Sequence, residues 1–222
     1  MASGLSDVLT RIAAAADRAG RDPGAITLVA VSKTATREGL RAAYDAGVRD
    51  FGENRADQLA ERTTWLPPDA RWHMVGRVQG NKVRLVRPVV SLLHSLDRPD
   101  LAGYWVKGPG MPPPVLVQVN IGRERQKGGV LPDAAGDLVE HAVDLGLEVT
   151  GLMAIPPVAA DPEAVRPYFA ALRELRDRIS GRHPSIRHLS MGMTDDFEVA
   201  ISEGATILRV GRAIFRPTTG EE

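Results

Sequence analysis

The sequence predicts an α/β fold, a single (β/α)8 TIM barrel with an extra N-terminal helix. Three observations carry that expectation. Eight short apolar runs of strand pattern recur along the chain, amphipathic helical segments separate most of them, and several of those helices end on glycine just before the next strand, as in "DAGV", "DLGL" and "SEGA". Eight βα units suit a chain of 222 residues, and the loops at the strand C-termini form the working face of such a barrel. A doubly wound open sheet shares the same alternation, and counting elements leaves it open.

In chain order, an amphipathic helix over about 5–19 opens the sequence. The strand runs are then "ITLVAVS" (26–32), "RDFGE" (49–53), "RWHMVG" (71–76), "VVSLLHS" (89–95), "PVLVQVN" (114–120), "EVTGLMAI" (148–155), "IRHLS" (186–190) and "TILRVG" (206–211). Helical periodicity is clearest in "TREGLRAAYDAG", "NRADQLAERTTWL", "LPDAAGDLVEHAVDLG", "DPEAVRPYFAALRELRDRIS" and "TDDFEVAISEG". It is weaker after the third and fourth strands. No close repeat or linker interrupts the pattern, and "KGPGMPPP" reads as a loop between elements, so 1–222 is expected to form one domain.

Composition narrows the partner. Lys+Arg and Asp+Glu both number 28, so the formal charge is zero and no field draws the chain to nucleic acid or anionic lipid. A small molecule is the expected partner, and a neutral surface with short loops favours a monomer. The absence of cysteine excludes disulfides, thiolate catalysis and cysteine-bound metal. The five histidines (His73, His94, His141, His183, His188) show no paired ligand spacing, so no metal is expected; His73 and His188, on strands, read as hydrogen-bonded interior residues. Asp7, Arg11, Asp17 and Arg18 break up any apolar leader, and no run reaches membrane-spanning length, which points to the cytoplasm.

Polar residues gather where the strands finish: Lys33, Glu53 and Asn54, His73 and Gln79, His94 and Asp97, Asn120, Ser190 and Arg209. A solvated rim is also polar, so the individual chemistry decides. Read with a period of two, Lys33 shares its face with Thr27, Val29 and Val31 and points inward. A lysine partly desolvated there and close to Arg209 favours its neutral amine, the form that attacks a carbonyl to give a Schiff base. The other reading is an amine that snorkels to water or pairs with Glu53.

Near the C-terminus, "HLSMGMTDDFEVAI" runs strand, glycine-containing turn, helix, with Thr194 as N-cap and Asp195 and Asp196 in the first helical turn. Free backbone N–H groups there and in "RVGRAIF" suit a phosphate, although two aspartates in a first turn also serve the helix dipole with no ligand. Gly211 lets the backbone approach an anion closely. Arg209 shares its face with Ile207, stays charged and only donates; beside an aromatic nitrogen it keeps that nitrogen unprotonated, which weakens the ring as an electron sink. Lysine, phosphate cradle and arginine together point to pyridoxal 5′-phosphate.

The stretches "LVAVSKT", "DFGENRADQL", "WHMVGRVQGNK", "GLMAIPP", "LSMGMTDDFEVAI" and "LRVGRAIF" resemble, in order and over nearly the whole chain, the motifs of the pyridoxal phosphate homeostasis proteins. The resemblance implies a fold type III barrel similar to the N-terminal domain of alanine racemase, with the cofactor as an internal aldimine on Lys33 and no established turnover. It implies that Asn54 lies beside the cofactor, that Ser190 with the turn behind it and the backbone of Gly211 and Arg212 hold the phosphate, and that Arg209 faces the pyridine nitrogen. Thr194 stands where the family has serine and keeps the hydroxyl for a phosphate contact. Gly122, Arg55 and Arg216 depart from the family pattern, while Asn120, Glu124, Lys127 and Gly129 follow it.

The expected role is therefore intracellular holding and delivery of the cofactor, with PLP-dependent apo-enzymes as recipients. A racemase on this fold needs a second acid/base from a separate domain, and the sequence ends at residue 222, just past the eighth predicted strand. Tyr44, Tyr104 and Tyr168 fall at no strand C-terminus and do not supply that group. Weak or partner-dependent racemase-like activity stays an alternative. A lysine aldolase is disfavoured because it has no use for Arg209 opposite a ring nitrogen. Lys82 and Lys127 are candidates for holding a second cofactor molecule, against a default reading as solvated surface.

Overall fold

The computed structural model describes residues 2–215. Its eight strands are β1 (Thr27–Val31), β2 (Asp50–Glu53), β3 (Arg71–Met74), β4 (Leu92–Leu96), β5 (Val115–Val119), β6 (Val149–Ala154), β7 (His188–Ser190) and β8 (Ile207–Val210). All pair in parallel in sequence order, and β8 returns to β1 with Thr27 opposite Ile207 and Val29 opposite Arg209, which closes the barrel. The open-sheet alternative is thereby excluded. Each strand falls on its sequence run, most with ends trimmed by a residue or more, while β4 starts three residues late and runs one residue past the expected end to Leu96.

The helices are α1 (Ala2–Arg18), α2 (Arg37–Asp45), α3 (Ala56–Arg62), α4 (Val83–Val86), α5 (Pro99–Lys107), α6 (Ala135–Asp144), α7 (Arg166–Ser180), α8 (Phe197–Ser202) and α9 (Arg212–Phe215). The two weak segments differ: the one after β3 folds a 3-10 turn at Gly80–Lys82 and the single turn α4, and the one after β4 folds α5, with Pro99 as its first residue. Gly47, Gly146 and Gly204 end α2, α6 and α8 at φ of 100°, 83° and 94°, a region in which glycine bears no Cβ penalty. Among the described residues, no helix is long and apolar enough to cross a membrane.

Two cores result. The larger lies between barrel and helices; the smaller, inside the barrel, is built from Val29, Leu116, Met153 and Ile207. The period-two reading of β1 and β8 therefore holds. α1 packs on α8, where Arg11 stacks 4.6 Å from the Phe197 ring centroid and pairs with Glu198 at 3.3 Å. The backbones of β6 and β7 approach so closely that a Cβ on Gly151 would collide with the His188 carbonyl.

Gly151→Ala should therefore lower stability by about 1–3 kcal/mol through overpacking. Gly103 sits inside α5 with open space around it. Gly103→Ala should raise stability by roughly 0.5–1 kcal/mol through helix propensity. Urea unfolding of both variants beside the parent chain checks the two signs together.

Candidate functional site

The mouth at the strand C-termini holds a cavity of about 370 Å³ lined by Val31, Lys33, Asn54, Val75, Ile155, Met193, Thr194, Asp195, Asp196, Arg209, Gly211 and Arg212. That is within the range of about 300–1,000 Å³ usual for small-ligand sites. Six of the seven residues named from sequence thus come together on one surface; Ser190 does not line it.

Lys33 differs from expectation. β1 ends at Val31, and Lys33 sits in the following turn, exposed rather than desolvated. The cause is Ser32: its Oγ donates to Glu53 Oε2 at 2.7 Å and reaches the Gly52 carbonyl at 2.9 Å, so the chain leaves the sheet there. Glu53 is not the partner of Lys33. Its buried carboxylate takes Arg62 at 2.7 Å, Ser32, and the backbone N–H of Asn54 at 2.6 Å. Among the described residues Lys33 joins no ion pair, which leaves its amine available at the cavity edge.

The phosphate-type region forms from two chain segments. Gly211 approaches β1 so closely that a Cβ would stand 2.8 Å from the Val31 carbonyl oxygen, so the missing side chain serves packing as well as access. Among the described residues, the backbone N–H groups of Thr194, Arg212 and Ala213 meet no acceptor. Thr194 is not the N-cap: α8 begins at Phe197, and Asp195 and Asp196 belong to the preceding turn. Asp196 Oδ1 accepts from the Met193 N–H at 2.6 Å, and burial pushes its carboxyl up. Asp195 pairs with Arg212 at the rim.

Arg209 is almost fully buried, and desolvation lowers its pKa to about 10, so it remains a cation at neutral pH. Its Nη1 donates to Ser190 Oγ at 2.5 Å and its Nη2 to the Ala154 carbonyl at 2.9 Å. Ser190 is thus turned into the barrel, beneath the cavity, and its hydroxyl engages Arg209 rather than facing the phosphate region. Ser190 Oγ also lies 2.8 Å from His94 Nδ1; His94 Nε2 lies 2.9 Å from His73 Nδ1, and His73 Nε2 lies 3.0 Å from Asp50 Oδ1. Arg71 caps the column by donating to Asp50 at 2.5 and 2.8 Å. Of the two histidines expected inside, His73 is a buried, hydrogen-bonded residue, whereas His188 opens β7 at the exposed end, 3.2 Å from Thr206 Oγ1; the column itself was missed, and the polar residues of β2, β3 and β4 were its available signal.

Other expectations resolve locally. Lys127 donates to the Pro156 carbonyl at 2.7 Å and pairs with Glu124 at 2.5 Å, so its amine is engaged, while Lys82 is half-buried after β3. A Cβ at Gly122 would meet the Pro157 ring at 2.7 Å, which leaves no room for a serine. Arg55 pairs with Asp57 at the surface, and Arg216 lies outside the described residues. Among the described residues no group of three or more acidic or histidine side chains has metal-binding geometry.

The sequence family described as "Alanine racemase, N-terminal domain" matches residues 6–218. A protein of Aquifex aeolicus named "Pyridoxal phosphate homeostasis protein" is 45% identical over 217 residues, 95% of each chain. A crystal structure of an unknown protein from Bifidobacterium adolescentis superposes with a TM-score of 0.90 at 37% identity, covering 96% of this chain and 93% of the other. PipY of Synechococcus elongatus, solved with PLP bound, gives a TM-score of 0.79 at 31% identity, covering 92% and 99%.

Two outcomes follow from this geometry. Glu53→Ala leaves Arg62 buried without its carboxylate and should cost about 3–5 kcal/mol, measured by urea unfolding. Burial raises the Asp50 carboxyl, but hydrogen bonds from His73 and Arg71 outweigh it and bring the pKa down to about 2, below the ordinary 3.8. The stabilisation is therefore complete above the unfolded value and is lost as pH falls toward about 2, on the order of 2 kcal/mol in all. Asp50→Asn should remove that part of the acid dependence in urea titrations between about pH 2 and 6.

Proposed function

The chain belongs to the pyridoxal phosphate homeostasis protein family, on the alanine racemase N-terminal domain, and from that premise we propose that it holds pyridoxal 5′-phosphate on Lys33 and releases it to other amines. The observation that carries this is the cavity joining Lys33 and the buried Arg209 cation with backbone N–H groups that, among the described residues, have no acceptor. When bound, the cofactor supplies an aldehyde that forms a reversible covalent bond with a primary amine.

Lys33 Nζ would hold that carbonyl, with water lost as the bond forms and taken up again, or replaced by a second amine, as it is reversed. Its exposure supports exchange, because an incoming amine can reach the same carbon. Arg209 would face the ring nitrogen of the bound cofactor and, as a fixed cation that only donates, would keep that nitrogen unprotonated. Thr194, with the N–H groups of Arg212 and Ala213 and the close backbone at Gly211, takes the phosphate. Asn54 flanks the ring. Ser190 acts on the cofactor through Arg209.

Holding rather than turnover is supported by two features. An unprotonated ring nitrogen stabilises a carbanion poorly, and Tyr44, Tyr104 and Tyr168 lie on α2, α5 and α7, outside the cavity lining. We read 1–222 as one domain acting as a monomer in the cytoplasm, with PLP-dependent apo-enzymes as recipients.

Borohydride reduction of the protein incubated with pyridoxal 5′-phosphate, followed by peptide mapping, tests this. The mark should fall on Lys33, and Lys33→Ala should lose both the mark and the visible absorption band. A mark confined to Lys82 or Lys127, or none, would overturn the assignment.

A further inference from the structure

The column beneath the cavity crosses the barrel. It starts at Arg209 on β8, passes to Ser190 on β7, spans the interior to His94 on β4, continues to His73 on β3 and ends at Asp50 on β2, at the opposite mouth. Every link is 2.5–3.0 Å, and every member is at most 9% exposed. A second cavity, of about 300 Å³, opens at that far mouth against Asp50, Arg71 and His73.

The two ends determine the direction. Arginine can only donate and an ionised aspartate can only accept. With both histidines neutral, one proton arrangement satisfies every link: Arg209 donates to Ser190 Oγ, the Ser190 hydroxyl to His94 Nδ1, the His94 Nε2–H to His73 Nδ1, and the His73 Nε2–H to Asp50. We propose that Ser190, His94 and His73 form a one-way hydrogen-bond wire that positions Arg209, with the Nε2–H tautomer of His94 as the link that sets its direction. His94, Ser190 and Asp50 are then positioning residues that reach the cavity only through Arg209.

The competing arrangement is worse on two counts. A doubly protonated His73 would donate to both Asp50 and His94 Nε2, forcing the His94 Nδ1–H tautomer; Ser190 Oγ would then receive two donors and its own hydrogen would have no acceptor in the column. It would also add a positive charge to an interior that already holds Arg209. The ionisable groups facing His94 are His73 from β3, His188 from β7 and Arg209 from β8, and burial, then these groups, hold it well below the ordinary histidine value. Uptake of a proton at the far mouth would therefore reverse the wire and disturb Arg209 from below, a coupling between the two ends of the barrel.

The consequence for the cofactor rests on the function proposed above, but the wire itself does not, and the experiment separates them. Long-range ¹H–¹⁵N spectra of histidine-labelled full-length protein, without cofactor, should show His94 and His73 as neutral Nε2–H tautomers at neutral pH, with His94→Phe used for assignment. Asp50→Asn, whose amide can donate or accept, should give His94 mixed tautomers although the substitution is two links away. A His94 Nδ1–H tautomer or imidazolium in the parent chain overturns the wire, as does a His94 signal untouched by Asp50→Asn. With pyridoxal 5′-phosphate added, Ser190→Ala should release cofactor about tenfold faster, the factor one hydrogen bond contributes, and should shift the pH profile of its absorption. Unchanged release and an unchanged profile overturn the positioning role. If the parent chain binds no cofactor at all, the proposed function fails and the tautomer measurement alone decides the wire.

Discussion

A guanidinium buried at the heart of a barrel constrains everything around it. Leaving a charge there without partners would cost several kcal/mol, so the interior must supply acceptors where an ordinary barrel supplies only branched aliphatic side chains. Arg209 obtains them from Ser190 and the Ala154 carbonyl. Satisfying Ser190 then requires His94, which requires His73, which requires Asp50. The apolar inner core shrinks accordingly to Val29, Leu116, Met153 and Ile207, while stability is carried chiefly by the larger layer between strands and helices.

The same economy shapes the mouth. Glu53 is fully buried and uses its carboxylate to anchor Ser32, Arg62 and the Asn54 backbone, which fixes where β1 and β2 release the chain. Lys33 and Asn54 owe their places at the cavity to that buried anion rather than to direct contact with it. On the other side, Asp196 and the close approach of Gly211 to Val31 shape the turn and strand end where, among the described residues, backbone N–H groups meet no acceptor. The cavity-lining lysine, the buried arginine and the Gly211 strand end are thus each set by a separate buried polar group or close backbone contact.

Much of this was legible in the sequence. Period-two alternation placed Val29 and Arg209 inside, and the glycine-terminated helices gave the βα order, because both signals are local. Lys33 lines the cavity but is exposed: alternation was extended two residues past Val31, where Ser32 already bonds to Glu53. Thr194 was read as a cap because residue type alone cannot distinguish a cap from the turn before it. The column from Asp50 to Ser190 was hidden for a different reason. Its link between β4 and β7 joins residues 96 apart through the barrel interior, and no sequence spacing encodes a contact made across closed strands.

The central claim is that one cofactor is gripped at three points by groups the barrel positions independently. A crystal structure of the protein grown with pyridoxal 5′-phosphate tests it most directly. The account predicts density continuous with Lys33 Nζ, the ring nitrogen within hydrogen-bonding distance of Arg209, and the phosphate against Thr194 and the Arg212 backbone. Cofactor seated elsewhere, or in this cavity with its ring nitrogen turned away from Arg209, would contradict it.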